Sequence, residues 1–191
     1  MPWSEKVLQQ FQAVPVLPLL LQDQYHGPFN KLLHTLFPVD SDFTVSPQFL
    51  MPLAEESADF IVMFEILVQN RPVLVLQLKD LRDLQFISSR QTAHQQIRRH
   101  MGDIAEAGLC PIRTLYGIIA MGTRMCFYHV DARDPHPCIV PVALSRHPTR
   151  INNPAPEEWW DCDVLKADGE ARLREVVDEI MEACTELVAD D

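Results

Sequence analysis

SADFIVMFEILVQNRPVLVLQLKD, residues 57–80, reads as two strands joined by a short turn. The first runs from about Asp59 to Val68 and the second from about Val73 to Lys79, and both are rich in Val, Ile, Leu and Phe. Gln69-Asn70-Arg71-Pro72 interrupts them as a turn does. In VLVLQL apolar side chains occupy both parities, the pattern of a strand covered on each face. The strand nevertheless ends in Gln77-Leu78-Lys79-Asp80. Side chains alternate along a strand, so Gln77 and Lys79 share a face about 7 Å apart. A polar pair at the open end of a buried strand needs partners, and the acidic group on offer is Asp59.

That geometry sets a register condition. Opposed residues of an antiparallel hairpin share a face, so Asp59 joins Gln77 only if paired positions sum to an even number. A simple two-residue turn at Asn70-Arg71 gives an odd sum and puts Asp59 on the wrong face. A three- or five-residue loop, or a bulge within the hairpin, is therefore expected. Glu65 points to the same face as Asp59 but lies about 20 Å along the strand. It is expected to partner a nearby base rather than to share a cation with Asp59.

Outward from the hairpin, Ser88-Ser89 can cap a helix to about Ala107, closed by Gly108. Ala93, Ile97, Met101, Ile104 and Ala105 fall on one face, with Gln96 at its margin and Arg90, His94, Arg98 and Arg99 on the rest. TLYGIIA and TRMCFYHV read as strands joined at Met121-Gly122, and PCIVPVAL as a further strand. Upstream, Ser4 starts a short helix to about Ala13, and Gly27-Pro28 opens another through Phe37. Phe43 to Met51, interrupted by Pro47, suits an edge strand or a bulge. Leu173, Val176, Val177, Ile180, Cys184 and Leu187 mark a long amphipathic helix from about Asp168 to 188. The expectation is one α/β domain over residues 1–191, a mixed sheet of about four to six strands with helices on both faces.

Composition bounds the function. With 191 residues and 47% apolar content the chain can bury one real core. No run has the apolar length of a membrane span, so no membrane partner is expected. The start of the chain does not read as a signal peptide. Five cysteines, odd in number and without a CxxC, suggest reduced thiols and an intracellular setting, cytoplasm or nucleus. The net charge of −11 argues against nucleic acid, but it is unevenly spread. Residues 1–70 carry 2 basic and 8 acidic side chains, residues 71–150 carry 11 and 6, and residues 151–191 carry 3 and 13. Nucleic acid is thus expected through residues 71–150, with an acidic C-terminal helix partly masking that surface.

An acidic residue on one strand, then an apolar strand ending in acid-x-Lys, resembles the PD-(D/E)XK nuclease-like superfamily. The matching residues are Asp59 and Gln77-x-Lys79, followed by Ala93-x-x-Gln96-Ile97, which looks like the glutamine helix that often follows that family's lysine strand. The usual Glu is Gln here, a departure also typical of the methylation-dependent restriction enzymes of the Mrr type. The resemblance covers about residues 28–130 and implies a restriction-endonuclease-like sheet. It further implies Mg or Mn held by Asp59, Gln77 and the Leu78 carbonyl, with Lys79 acting on the attacking water and the phosphate. Gln96, Arg90, Arg98 and Arg99 would then meet substrate. Gln77 supplies an oxygen but no charge, so the cation is held more weakly than by two carboxylates. A plainer reading stands beside it: Gln77 as a satisfied buried amide, Lys79 snorkelling from a strand end, Asp59 capping a turn. On that reading the fold serves as a catalytically silent module for a protein partner or a second copy of itself.

Overall fold

The hairpin forms where the β-branched and aromatic residues concentrate. In the computed structural model, which describes residues 3–14, 24–50, 61–144 and 153–189, strand β2 spans Ile61–Val68 and β3 spans Arg71–Lys79. Among those residues the chain forms four α-helices and one six-stranded sheet. The turn between the strands is Gln69-Asn70, both at positive φ (50° and 62°), with Val68 opposite Arg71. Arg71 and Pro72, expected in the turn, instead begin β3. Proline is tolerated there because pairing with the next strand starts only at Leu74. Leu67 faces Pro72 whereas Ile66 faces Leu74, so Val73 is the extra residue of a bulge. The bulge changes the paired positions from an odd to an even sum and sets Met63 opposite Gln77. The register condition is therefore met, although Asp59 itself lies outside the described residues.

β1, Phe43–Leu50, runs antiparallel to β2 along its whole length as the sheet's first edge. After β3, helix α3 (Ile87–Glu106) carries the chain across to β4 (Thr114–Met121), parallel to β3. β5 (Arg124–Asp131) returns antiparallel, with Met121 opposite Arg124. The turn is thus Gly122-Thr123, one residue later than the sequence suggested, and Gly122 takes the positive φ of 61°. A two-residue strand β6, Cys162–Asp163, completes the six-stranded mixed order β1-β2-β3-β4-β5-β6. PCIVPVAL is not a strand: only Val140 bridges to His129, since Pro137 and Pro141 have no N–H for a ladder.

α3 covers one face of the sheet, and its predicted stripe of Ala93, Ile97, Met101, Ile104 and Ala105 is buried. It sits close because β4 offers Gly117, where a Cβ would lie 2.3 Å from Met101 Sδ. The other face takes α1 (Glu5–Gln12), α2 (His26–Leu36) and α4 (Ala167–Ala189). Phe11 meets Phe29 edge-on at 5.2 Å, and His26 stacks on Phe64 of β2 at 4.7 Å. Leu173, Val176, Val177, Ile180 and Cys184 of α4 are buried, and Gly169 in its first turn lies where a Cβ would be 2.0 Å from the Asp163 carbonyl oxygen. Trp3 donates its indole N–H to the Val164 carbonyl at 2.6 Å, under the Arg174 guanidinium at 4.3 Å. The acidic helix is therefore part of the core, not a mask that can be removed.

Candidate functional site

β3 places Gln77 and Lys79 on the face beneath α3. Gln77 is wholly buried (0% exposed), and its side-chain N–H donates to Gln96 Oε1 at 2.7 Å. α3 thus meets the buried strand through Gln96, at the margin of its apolar stripe. Gln77 Oε1 has no hydrogen-bond partner among the described residues. A buried amide oxygen left so is uncommon, because removing it from water without a partner costs about 1–3 kcal/mol. Leu78 points to the opposite, apolar face and is buried. Lys79 is half-buried at the strand's end, where its carbonyl accepts the Gly122 N–H at 3.0 Å. Asp80 then turns the chain by accepting Arg82 N–H at 2.8 Å and Arg82 Nε–H at 2.9 Å. Burial pushes its carboxyl up, but the bonds from Arg82 outweigh this and hold it below the ordinary carboxylate value.

A second polar pair lies beside the first. Glu65 is opposite Val75, two residues along β3 from Gln77 and on the same face. Its Oε1 meets His100 Nε2 at 2.7 Å, and its Oε2 accepts from Gln48 Nε2 at 3.4 Å. The base expected for Glu65 is thus His100. Gln96 and His100 are four apart, so one flank of α3 presents an amide and an imidazole to an amide and a carboxylate below. An oriented imidazole can move a proton, and an amide pair can hold an oxygen ligand.

The basic side chains of α3 divide differently from the expectation that Arg90, Arg98 and Arg99 line a substrate surface. Arg90 is buried, donating Nε–H to the Ala155 carbonyl at 2.9 Å and Nη1–H to the Leu84 carbonyl. Arg98 donates Nη1–H to the carbonyls of Ile139 (3.0 Å) and Pro141 (2.6 Å). Each ties a loop to the helix, because carbonyls left without N–H partners outside a ladder need donors. Arg99 alone of the three is exposed.

One buried group was not legible in the sequence. His94 Nδ1 lies 3.0 Å from the Tyr128 hydroxyl, its ring 5.2 Å from that of Trp159, and its Nε2 has no partner among the described residues. Burial, aided by the Arg98 guanidinium, pushes its pKa down to about 4, so the ring is neutral at pH 7. Burial likewise pushes the Cys126 thiol up to about 12, far from a reactive thiolate. The apolar neighbours of His94 come from β5 and the 153–160 segment, and helical periodicity alone cannot report them.

Among the described residues no three His, Cys, Asp or Glu side chains gather to hold a metal ion. The one described feature that suits Mg or Mn is the unpartnered Gln77 oxygen. No helix of the described residues is long and apolar enough to cross a membrane. Comparison with known proteins finds no matching family model, no matching curated relative and no matching solved structure.

Proposed function

We propose that this chain is a PD-(D/E)XK-like protein that hydrolyses phosphodiester bonds in nucleic acid with Mg or Mn. The observation that carries the reading is the buried Gln77 amide, bonded to Gln96 yet with Oε1 unpartnered, two residues before Lys79. The bulge that keeps Met63 opposite Gln77 supports it, because it gives β2 and β3 the even register that a shared site requires. Asp59, Gln77 Oε1 and the Leu78 carbonyl would hold the cation, which supplies Lewis-acid stabilisation of a charged phosphate. Gln96 fixes the Gln77 amide. Lys79 holds a proton-bearing ammonium at the strand end, suited to orienting water and to meeting phosphate charge. The strand, strand, helix, strand order from β2 to β4 agrees with the restriction-endonuclease-like fold that the resemblance implies.

The test is calorimetric titration of Mg and Mn into the native chain and the Gln77→Glu variant. The reading expects binding in both and tighter binding in the variant, which restores the carboxylate. Absence of binding in both would contradict it. A second reading, a catalytically silent module for a protein partner or a second copy, is favoured by Arg90 and Arg98 being held on backbone carbonyls. It expects no cleavage under any cation.

A further inference from the structure

Among the described residues, the outer edge of β5 is covered at two points, with no backbone partner between them. Met125 pairs with Cys162 of β6, and His129 exchanges both backbone hydrogen bonds with Val140, at 3.0 and 2.9 Å. Phe127 lies midway. Backbone groups alternate in direction along a strand, so its N–H and C=O point outward as those of His129 do. Neither has a backbone partner among the described residues. They face a cleft of about 740 Å³ between β5, α4 and the segment around Glu158 to Cys162. A cleft of that volume suits a small ligand.

Its walls are of two kinds. Tyr116, Phe127 and Trp159 contribute aromatic surface, and Glu158, Asp161 and Glu179 contribute carboxylates. Tyr116 donates its hydroxyl to Glu179 Oε2 at 2.8 Å, fixing both. The facing cation is Arg172, whose guanidinium lies 5.5 Å from the Phe127 ring centre and pairs with Glu175 on its own helix. The chain itself thus places a cation on the aromatic wall, where the negative ring face attracts one. Among the described residues lining it, three carboxylates stand against one guanidinium and the His129 ring, an acidic balance.

We propose that this cleft binds a protonated amine or guanidinium on a short carbon chain, as in a free polyamine or in a lysine or arginine side chain. Tyr116 and Trp159 line the alkyl stem, since the Arg172 guanidinium already stands over Phe127, and the charged head meets the carboxylates. The carboxylates balance the charge, and the Phe127 carbonyl accepts an N–H. β6 and the Val140 bridge close the two ends of that stretch of the edge, so a side chain or small molecule enters end-on, and an extended peptide has no room to add as a strand. The site lies beyond β5 and does not use Gln77 or Lys79, so it stands or falls apart from the proposed hydrolysis.

The experiment titrates agmatine, and separately a capped Gly-Arg-Gly peptide, into the full chain by calorimetry while following tryptophan fluorescence. Saturable binding is expected, about tenfold weaker in a Glu158→Gln, Asp161→Asn double variant. Both side chains are exposed, so that variant keeps the fold. Tighter binding of agmatine would identify a free amine, and tighter binding of the peptide an arginine side chain. Absence of saturable binding by either probe, or unchanged affinity in the double variant, would overturn the proposal.

Discussion

His94 shows what burial does to a single side chain. Its ring is held between Tyr128 and Trp159, and its pKa is pushed down to about 4. In the unfolded chain a histidine takes up its proton near pH 6.5, while the folded one stays neutral to about pH 4. Protons therefore favour the unfolded state across that interval, and stability present above pH 6.5 is lost progressively towards pH 4. His94→Asn keeps an oxygen near Nδ1 to accept from Tyr128 but does not titrate. Urea unfolding from pH 7 to 4 should show a shallower decline in the variant, and parallel declines would contradict the account. Arg98 and Arg99, neighbours in sequence, should separate in the same assay. Arg98→Ala leaves the Ile139 and Pro141 carbonyls without a donor and should cost about 2 kcal/mol, whereas Arg99→Ala should stay within about 0.5 kcal/mol. The sequence placed both on the polar side of the helix. It could not show that carbonyls some forty residues downstream in the chain meet only one of them.

At the scale of elements, the hairpin was readable from its run of β-branched and aromatic residues broken by turn formers, and α3 from a helical period. A face shared by Asp59 and Gln77 required an even register, and the Val73 bulge supplies one between β2 and β3. The spacing of Ala93, Ile97 and Met101 marked the buried stripe of α3, and Gln96 at its margin is where it meets Gln77. The turn was harder. Pro72 drew it one position too late, while the chain turns at Gln69-Asn70 by placing both in the left-handed region. β6 left no signal, because two residues carry no period and their pairing follows from how α4 begins. The seating of α3 depends on Gly117. Gly117→Val would drive a side chain into Met101 and Ile97 and should cost about 2 kcal/mol in urea unfolding. It should also loosen the Gln77–Gln96 contact, visible as shifted side-chain amide resonances. A variant as stable as the native chain would show that the helix does not rest there.

On the scale of the whole molecule, charge is segregated but not as the linear count implied. The basic middle segment uses Arg90 and Arg98 to fasten loops, and the acidic α4 buries its apolar stripe in the core. Deleting α4 would unfold the protein instead of uncovering a surface. Neutralising its exposed Glu175, Asp178, Glu182 and Glu186 is the informative change. Nucleic-acid affinity should then rise at low salt, and Arg99→Ala should lower it and reduce the salt slope by about one unit. Affinity indifferent to both changes would place any nucleic-acid contact elsewhere.

The proposed hydrolysis is tested most directly by nicking of supercoiled plasmid and cutting of single strands with Mg or Mn, comparing the native chain with Lys79→Ala. Lys79 ends its strand half-buried, so its removal should leave the fold intact by circular dichroism. The account predicts cation-dependent nicking by the native chain and its loss in Lys79→Ala. No cleavage by the native chain with either cation, or equal cleavage by the variant, would contradict it.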